Sequence, residues 1–153
     1  MRHPEQVDVV STPCFATPIR VVFGECDPAG IVFFPNFYRW FDQATHDLCA
    51  AAGYAMHDVR RERDWVGYPI AEAGARFLRP VTFDENLVIE TRIKEWQPRR
   101  FLLSHHVMRD GELLAEGWQT RFIGYKRADQ GGRLAAMEIP PAFREAMEGV
   151  VRG

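Results

Sequence analysis

One long amphipathic helix stands among segments patterned as strands, and that imbalance limits the chain to few architectures. Phe37, Trp40, Phe41, Ala44, Leu48 and Ala51 recur at helical spacing, while Arg39, Asp42, Gln43, His46 and Asp47 occupy much of the remaining surface. The aromatic members of this set read as core. The helix is expected from Asn36 to Ala52: Asn36 suits an N-cap, Pro35 resists backward extension, and Gly53 suits the C′ position. A short helical stretch is expected near Met56–Arg63, and from Pro69 to Arg127 the chain reads as strands. Pro69–Pro80 is the least regular of them. Asn86–Trp96 alternates Leu87, Ile89, Thr91 and Ile93 against Val88, Glu90, Arg92 and Lys94. Phe101–Met108 and Leu113–Tyr125 follow, joined through Arg109-Asp110-Gly111-Glu112, whose Asp-Gly pair marks a tight hairpin. Gln130-Gly131-Gly132 leads to a short strand near Arg133–Ile139, and Pro140-Pro141 opens a terminal helix over Ala142–Val150. One helix and a mostly antiparallel sheet must bury their apolar faces against each other, which gives an α+β two-layer domain.

The 153 residues suffice for one domain with a real core. Residues 1–16 show little periodicity and read as a frayed leader, leaving 17–153 as the single domain. A net charge of -2 supplies no broad positive field for nucleic acid. No apolar run approaches the ~20 residues that span a bilayer. The N-terminus also lacks the charged start and apolar stretch of a secretory signal. Cys14, Cys26 and Cys49 are odd in number and form no CxxC pair, so neither a disulfide framework nor a zinc site is expected. These features point to a cytoplasmic protein without membrane or nucleic-acid partners. No Gly-rich phosphate loop of the GxGxxG or GxxxxGK[ST] kind is present.

The chemistry begins at the first strand. Ile19–Phe23 places Ile19, Val21 and Phe23 on one face and runs towards Asp27-Pro28-Ala29-Gly30. There, proline presets the second turn position and glycine closes it, holding an acidic side chain at a fixed place. Such an aspartate is also common as a cap on its own turn backbone, and the turn alone does not choose between the two roles. Glu25, two residues earlier, reads either as a second carboxylate that raises the pKa of Asp27 or as a strand-end surface charge.

The segment from Val21 to Asp42, Val-Val-Phe-Gly-Glu-Cys-Asp-Pro-Ala-Gly-Ile-Val-Phe-Phe-Pro-Asn-Phe-Tyr-Arg-Trp-Phe-Asp, resembles the signature of the 4-hydroxybenzoyl-CoA thioesterase family. Further matches fall at Gly67, Pro69-Ile70, Ile89-Glu90-Thr91, Ile93-Lys94-Glu95-Trp96 and around Arg133–Pro140. The resemblance implies a hotdog fold, in which the sheet wraps the long helix. It implies dimers, usually paired into tetramers, with active sites at the dimer interface. The substrate it implies is an acyl-CoA, with coenzyme A as part of the substrate and no metal or redox cofactor. By the same resemblance Asp27 takes the place of the catalytic aspartate, and the Phe34 backbone N–H faces the thioester oxygen. That chemistry is sound: thioester hydrolysis needs a carboxylate to attack or to activate water, with donors for the oxyanion. The start of the Asn36–Ala52 helix supplies unpaired N–H groups and a positive dipole end. Direct attack and general-base catalysis both remain open.

Asp42 matches a family position near the acyl ring, where it would accept a hydrogen bond from a ring hydroxyl; otherwise it is a solvated helix-face carboxylate. Gly67 and Tyr68 match the acyl pocket wall. Tyr68 departs from the small hydroxyl residue of close relatives and would narrow that pocket or place its own hydroxyl in it. Arg99 and Arg100 match positions that contact the CoA phosphates, with Arg133 a further candidate, and guanidinium groups suit phosphate. Gln97-Pro98 replaces a more basic stretch there. The alternative for these arginines is a solvated strand end. His46, on the polar helix face, and the adjacent His105-His106 show no metal-ligand spacing and read as surface or hydrogen-bonded histidines. The expected activity is hydrolysis of an aromatic acyl-CoA such as 4-hydroxybenzoyl- or benzoyl-CoA. A short-chain or fatty acyl-CoA thioesterase and a non-catalytic acyl-CoA-binding hotdog protein are the alternatives. A hydratase on this frame would want a histidine near the helix start, and none stands there.

Overall fold

The computed structural model describes residues 12–153. Strand β1 (Phe15–Arg20) leads through a 3-10 turn (Phe23–Glu25) to the long helix α1 (Pro35–Ala51) and a short helix α2 (Met56–Glu62). Strands β2 (Trp65–Gly67), β3 (Ile70–Phe77), β4 (Asn86–Trp96), β5 (Phe101–Arg109) and β6 (Glu112–Arg121) follow. The chain closes with β7 (Gly124–Arg127), β8 (Arg133–Ala136) and helix α3 (Pro141–Arg152). The main sheet has the order β1-β4-β5-β6-β3, the smaller one the order β2-β7-β8, and every pairing is antiparallel.

Helix α1 lies against the main sheet because its apolar stripe and the inward strand positions have matching periods. Phe37, Trp40, Phe41, Ala44 and Leu48 are buried. They meet Leu87 and Ile89 of β4, Leu103 and Val107 of β5, and Leu114 and Ala115 near the start of β6 in two contiguous clusters. Gly117 of β6 leaves room for the Phe41 ring, which a Cβ at that position would overlap. Beneath α3 the second cluster is aromatic: Tyr54, Trp65, Tyr68, Phe101 and Phe143 pack edge-to-face or stacked.

Several expected boundaries move. Residues 1–11 of the expected leader lie outside the described residues, whereas Phe15 and Ala16 already belong to β1. The first strand ends at Arg20 rather than continuing to Phe23, because the Glu25 carboxylate accepts the Val22 N–H at 2.9 Å and bends the chain into a turn. Ile19 and Val21 stay in the core, but Phe23 is 77% exposed. Helix α1 begins one residue earlier than expected, with Phe34 at the N-cap and Pro35 at N1. Asn36 does not cap it; its Nδ2 donates to the Glu25 carbonyl at 2.8 Å and ties the helix start to the turn. The long strand expected over Leu113–Tyr125 breaks at Phe122, whose N–H donates to the Pro69 carbonyl, and the chain crosses to the smaller sheet.

Candidate active site

Asp27 sits in a turn closed three ways. The Asp27 N–H donates to the Ile31 carbonyl and the Gly30 N–H to the Asp27 carbonyl, both at 2.9 Å. The Ala29 N–H donates to Asp27 Oδ1 at 2.9 Å. The local capping role expected of a turn aspartate is therefore real, and it engages Oδ1 alone. Among the described residues no donor is paired with Oδ2. The turn is fastened to the rest of the fold where Cys26 bridges Val32 and the Phe33 N–H donates to the Glu25 carbonyl.

Glu25 is not a free surface charge; both of its carboxylate oxygens are engaged. Its Oε1 takes the Val22 N–H and its Oε2 takes the indole N–H of buried Trp40 at 2.7 Å. With its carbonyl bound to Phe33 and Asn36, Glu25 joins the Asp27 turn to the first turns of α1. Nothing in the spacing of Glu25 and Trp40 announces this bond.

The start of α1 leaves one donor open. Pro35 has no N–H, Asn36 donates to the Phe33 carbonyl and Phe37 to the Phe34 carbonyl. Among the described residues the Phe34 N–H has no acceptor. Phe34 lines an apolar cavity of about 350 Å³ with Ile31, Val32, Phe37, Phe77 and Leu78.

Asp42, Gly67 and Tyr68 lie together at a second cavity of about 330 Å³, shared with His46, Pro69, Ile70 and Arg121. Asp42 is not merely solvated: Arg121 Nη2 donates to its Oδ1 at 2.6 Å, and His46 Nε2 lies 3.4 Å from the same oxygen. His46 and Arg121 hold the Asp42 carboxyl below the usual carboxylate range, against the opposing effect of its partial burial. Tyr68 does not project its hydroxyl into the cavity. That group donates to the Tyr54 carbonyl at 2.6 Å inside the aromatic cluster, and burial pushes the phenol pKa up. The stacked and edge-on rings of Phe143, Trp65 and Phe101 hold the tyrosine in that orientation. Gly67 has φ of 140°, a conformation that favours glycine, and packs on Met56.

Arg121 went unremarked in the sequence. It is 2% exposed and donates through Nε to Gln119 Oε1 at 3.1 Å and through Nη1 to the Tyr68 carbonyl at 2.8 Å. Gln119 Oε1 also accepts from Thr45 and lies 3.2 Å from His105 Nε2, while His105 Nδ1 meets Thr91 at 2.9 Å. His105 is thus a buried, hydrogen-bonded histidine stacked on Phe41. The signal was available: Gln119 and Arg121 are polar residues at inward positions of an otherwise apolar strand face.

Arg99 and Arg100 are exposed in the β4–β5 turn, where the Gln97 N–H donates to the Arg100 carbonyl. Arg133 is exposed at the start of β8. Among the described residues none of the three has a carboxylate partner. The described residues also contain no cluster of three His, Cys, Asp or Glu placed to hold a metal, and no helix long and apolar enough to cross a membrane.

Relatives share both the sequence and this architecture. The 4-hydroxybenzoyl-CoA thioesterase of Pseudomonas sp. (strain CBS-3) is 37% identical over 132 residues, covering 82% of this chain and 92% of the relative. The 1,4-dihydroxy-2-naphthoyl-CoA hydrolase of Synechococcus sp. (strain WH7803) is 27% identical over 105 residues, covering 65% of this chain and 69% of the relative. Among solved structures, the 4-hydroxybenzoyl-CoA thioesterase from Pseudomonas sp. strain CBS-3 superposes with a TM-score of 0.79 at 33% identity. That match covers 88% of this chain and 99% of the other. A gentisyl-coenzyme A thioesterase superposes with a TM-score of 0.73 at 32% identity, covering 87% and 98%. The fold is therefore the hotdog fold that the family resemblance implied, within the α+β class expected from the helix-and-sheet pattern. With residues 21–147, from just before the Asp27 turn into α3, matching its family description, the chain belongs to the thioesterase-like superfamily.

Proposed function

We propose that this chain hydrolyses an aromatic acyl-CoA to the free carboxylic acid and coenzyme A, with Asp27 as the carboxylate of the hydrolytic step. One observation carries the assignment of the site. A turn locked by backbone bonds presents a carboxylate with one oxygen free, and the helix that follows begins with the unpaired Phe34 N–H beside an apolar cavity. Asp27 attacks the thioester carbonyl carbon or takes a proton from the water that does. The carbonyl oxygen becomes an oxyanion held by the Phe34 N–H and the positive end of α1, and the C–S bond breaks. In direct attack this leaves a mixed anhydride on Asp27, which water hydrolyses to the free acid and the regenerated carboxylate, while the departing thiolate takes its proton from water. In general-base catalysis the acid forms at once, and the proton that Asp27 took from water passes to the thiolate. The aromatic acyl group follows from the named activities of the 4-hydroxybenzoyl-CoA and gentisyl-CoA relatives. In this reading Asp42, Gly67 and the backbone at Tyr68 form the far wall of the acyl pocket, with Asp42 Oδ2 left to receive a ring hydroxyl. Arg99, Arg100 and Arg133 meet the CoA phosphates.

The two cavities occupy opposite ends of β3: Phe77 and Leu78 line the one beside Phe34, and Ile70 lines the one beside Asp42. Among the described residues strand β3 is a sheet edge, paired only with β6 and mostly exposed. Two copies paired antiparallel along β3 would bring the Phe77 end of one to the Ile70 end of the other. Each active site would then combine Asp27 and Phe34 of one protomer with Asp42 and Gly67 of its partner. A homodimer is the assembly this supports; its further pairing into a tetramer rests on the family resemblance alone.

Thiol release from a panel of benzoyl-, 4-hydroxybenzoyl- and hexanoyl-CoA tests the reading. Asp27→Asn is expected to abolish release while CoA-ester binding persists. Wild-type turnover by that variant would overturn the role of Asp27, and a clear preference for hexanoyl-CoA would overturn the aromatic substrate.

A further inference from the structure

Arg121 is a large buried cation on the inner face of a sheet, where a guanidinium needs a partner for nearly every donor. Three acceptors meet it: Asp42 from α1, the Tyr68 carbonyl from the β2–β3 connection, and Gln119 from its own strand. The first two also line the second cavity, so one planar group ties the α1 residue to the β2–β3 connection there. Its ion pair is lopsided. Arg121 is sealed from water, while the Asp42 side chain is 49% exposed, so the carboxylate is anchored from below and open from above. Both protein donors, Arg121 and His46, converge on Oδ1. Oδ2 is the oxygen that faces no protein donor among the described residues.

We infer that Arg121 is a positioning residue for acyl-group recognition: by taking Oδ1 of Asp42 and the Tyr68 carbonyl, it aims Asp42 Oδ2 at a hydroxyl on the substrate ring. The inference rests on the reading of Asp42 as part of the acyl pocket. It differs from that reading in assigning discrimination to the buried guanidinium that holds Asp42, not to the carboxylate alone. With one Nη donating to Asp42 Oδ1 and the other to the Tyr68 carbonyl, the fixed guanidinium plane restrains the carboxylate; without it Asp42 can swing on α1 towards solvent or pair with His46 alone. Lysine cannot reproduce the clamp, because its single ammonium does not match two acceptors in a fixed plane.

The measured quantity is the ratio of kcat/KM for 4-hydroxybenzoyl-CoA to that for benzoyl-CoA, in wild type, Asp42→Ala, Arg121→Met and the double variant. Arg121→Met is expected to lower the ratio by about 10-fold, the size of one hydrogen bond to a charged acceptor. The double variant is expected to match Asp42→Ala, since Arg121 acts through Asp42. A ratio that stays at the wild-type value in Arg121→Met while both rates fall together reduces Arg121 to a structural residue and overturns the inference. An unchanged ratio in Asp42→Ala overturns the underlying reading of Asp42 instead. Where Arg121→Met does not fold, Arg121→Lys decides: a lowered ratio supports the clamp, and a wild-type ratio overturns it.

Discussion

Replacing Glu25 with alanine separates the turn that presents Asp27 from the helix beside it. Glu25 spends its two carboxylate oxygens on different environments. Oε1 binds the N–H of Val22, an exposed residue where water can substitute. Oε2 binds the indole N–H of Trp40, which is 3% exposed and has no other acceptor among the described residues. Losing a hydrogen bond to a charged acceptor costs about 1.5–3 kcal/mol when the donor stays buried, and the solvated bond adds less than about 1 kcal/mol. Glu25→Ala is therefore expected to lose about 2–4 kcal/mol. In a domain of this size that lowers Tm by roughly 5–15 °C. Glu25→Gln keeps a neutral acceptor for Trp40 and should lose about half as much.

The assay is urea unfolding of four proteins: wild type, Glu25→Ala, Trp40→Phe and the double variant. If the indole bond carries the cost, the two substitutions are coupled by about 1–2 kcal/mol. Because the Glu25 carbonyl still holds Phe33 and Asn36, the turn should loosen rather than detach, and thioester hydrolysis should fall by less than in Asp27→Asn. A Glu25→Ala protein within about 0.5 kcal/mol of wild type would refute the assignment, as would additive effects in the double variant.

Tyr68→Phe removes a hydroxyl that points into the core, so it should cost about 1 kcal/mol of stability and leave the hydroxybenzoyl-to-benzoyl ratio unchanged. A changed ratio would return that hydroxyl to the acyl pocket. His105 tests the interior in another way, since burial pushes its pKa down to about 4 from the ordinary 6.5. A folded pKa below the unfolded one means that the stabilisation is complete above pH 6.5 and is lost as pH falls from 6.5 through about 4, by about 3 kcal/mol in all. His106, half-buried and also lowered, acts in the same direction. Urea unfolding at several pH values across that window should show a shallower slope in His105→Gln than in wild type; equal slopes would contradict a buried neutral imidazole.

The Asp27 turn and the long helix were legible because their determinants are local. Proline and glycine within four residues close the turn, and the stripe from Phe37 to Leu48 repeats at the helical period. Strands β4 and β5 were legible for the same reason, down to the Asp110-Gly111 hairpin, where both residues adopt positive φ. What failed was end chemistry. Asn36 has the composition of a cap, yet the Glu25 carbonyl 11 residues earlier competes for its amide, and Pro35 takes the N1 position. Likewise Phe23 continues a β-prone run, but the Glu25 carboxylate turns the chain before it can pair. In each case a polar side chain redirected the backbone, and alternation counts do not register that.

The interior polar chain escaped for a different reason. Arg121 and Asp42 lie 79 residues apart, and Thr45 and Gln119 lie 74 apart, so no window of sequence contains a pair. Periodicity nonetheless marks the site indirectly. Thr91 on β4, His105 on β5, and Gln119 and Arg121 on β6 all occupy inward positions, and the strand register sets Thr91 opposite His105. Four polar residues on one buried face must find one another, since each alone would leave an unpaired group in the core. Asp42 and Thr45, one helical turn apart on α1, join them as an acceptor for Arg121 and a donor to Gln119. Asp42 is the member of this network that reaches the surface, with its side chain 49% exposed. Polar residues at inward strand positions therefore carry information about a pocket that lies on another element, once the helix that covers them has been placed.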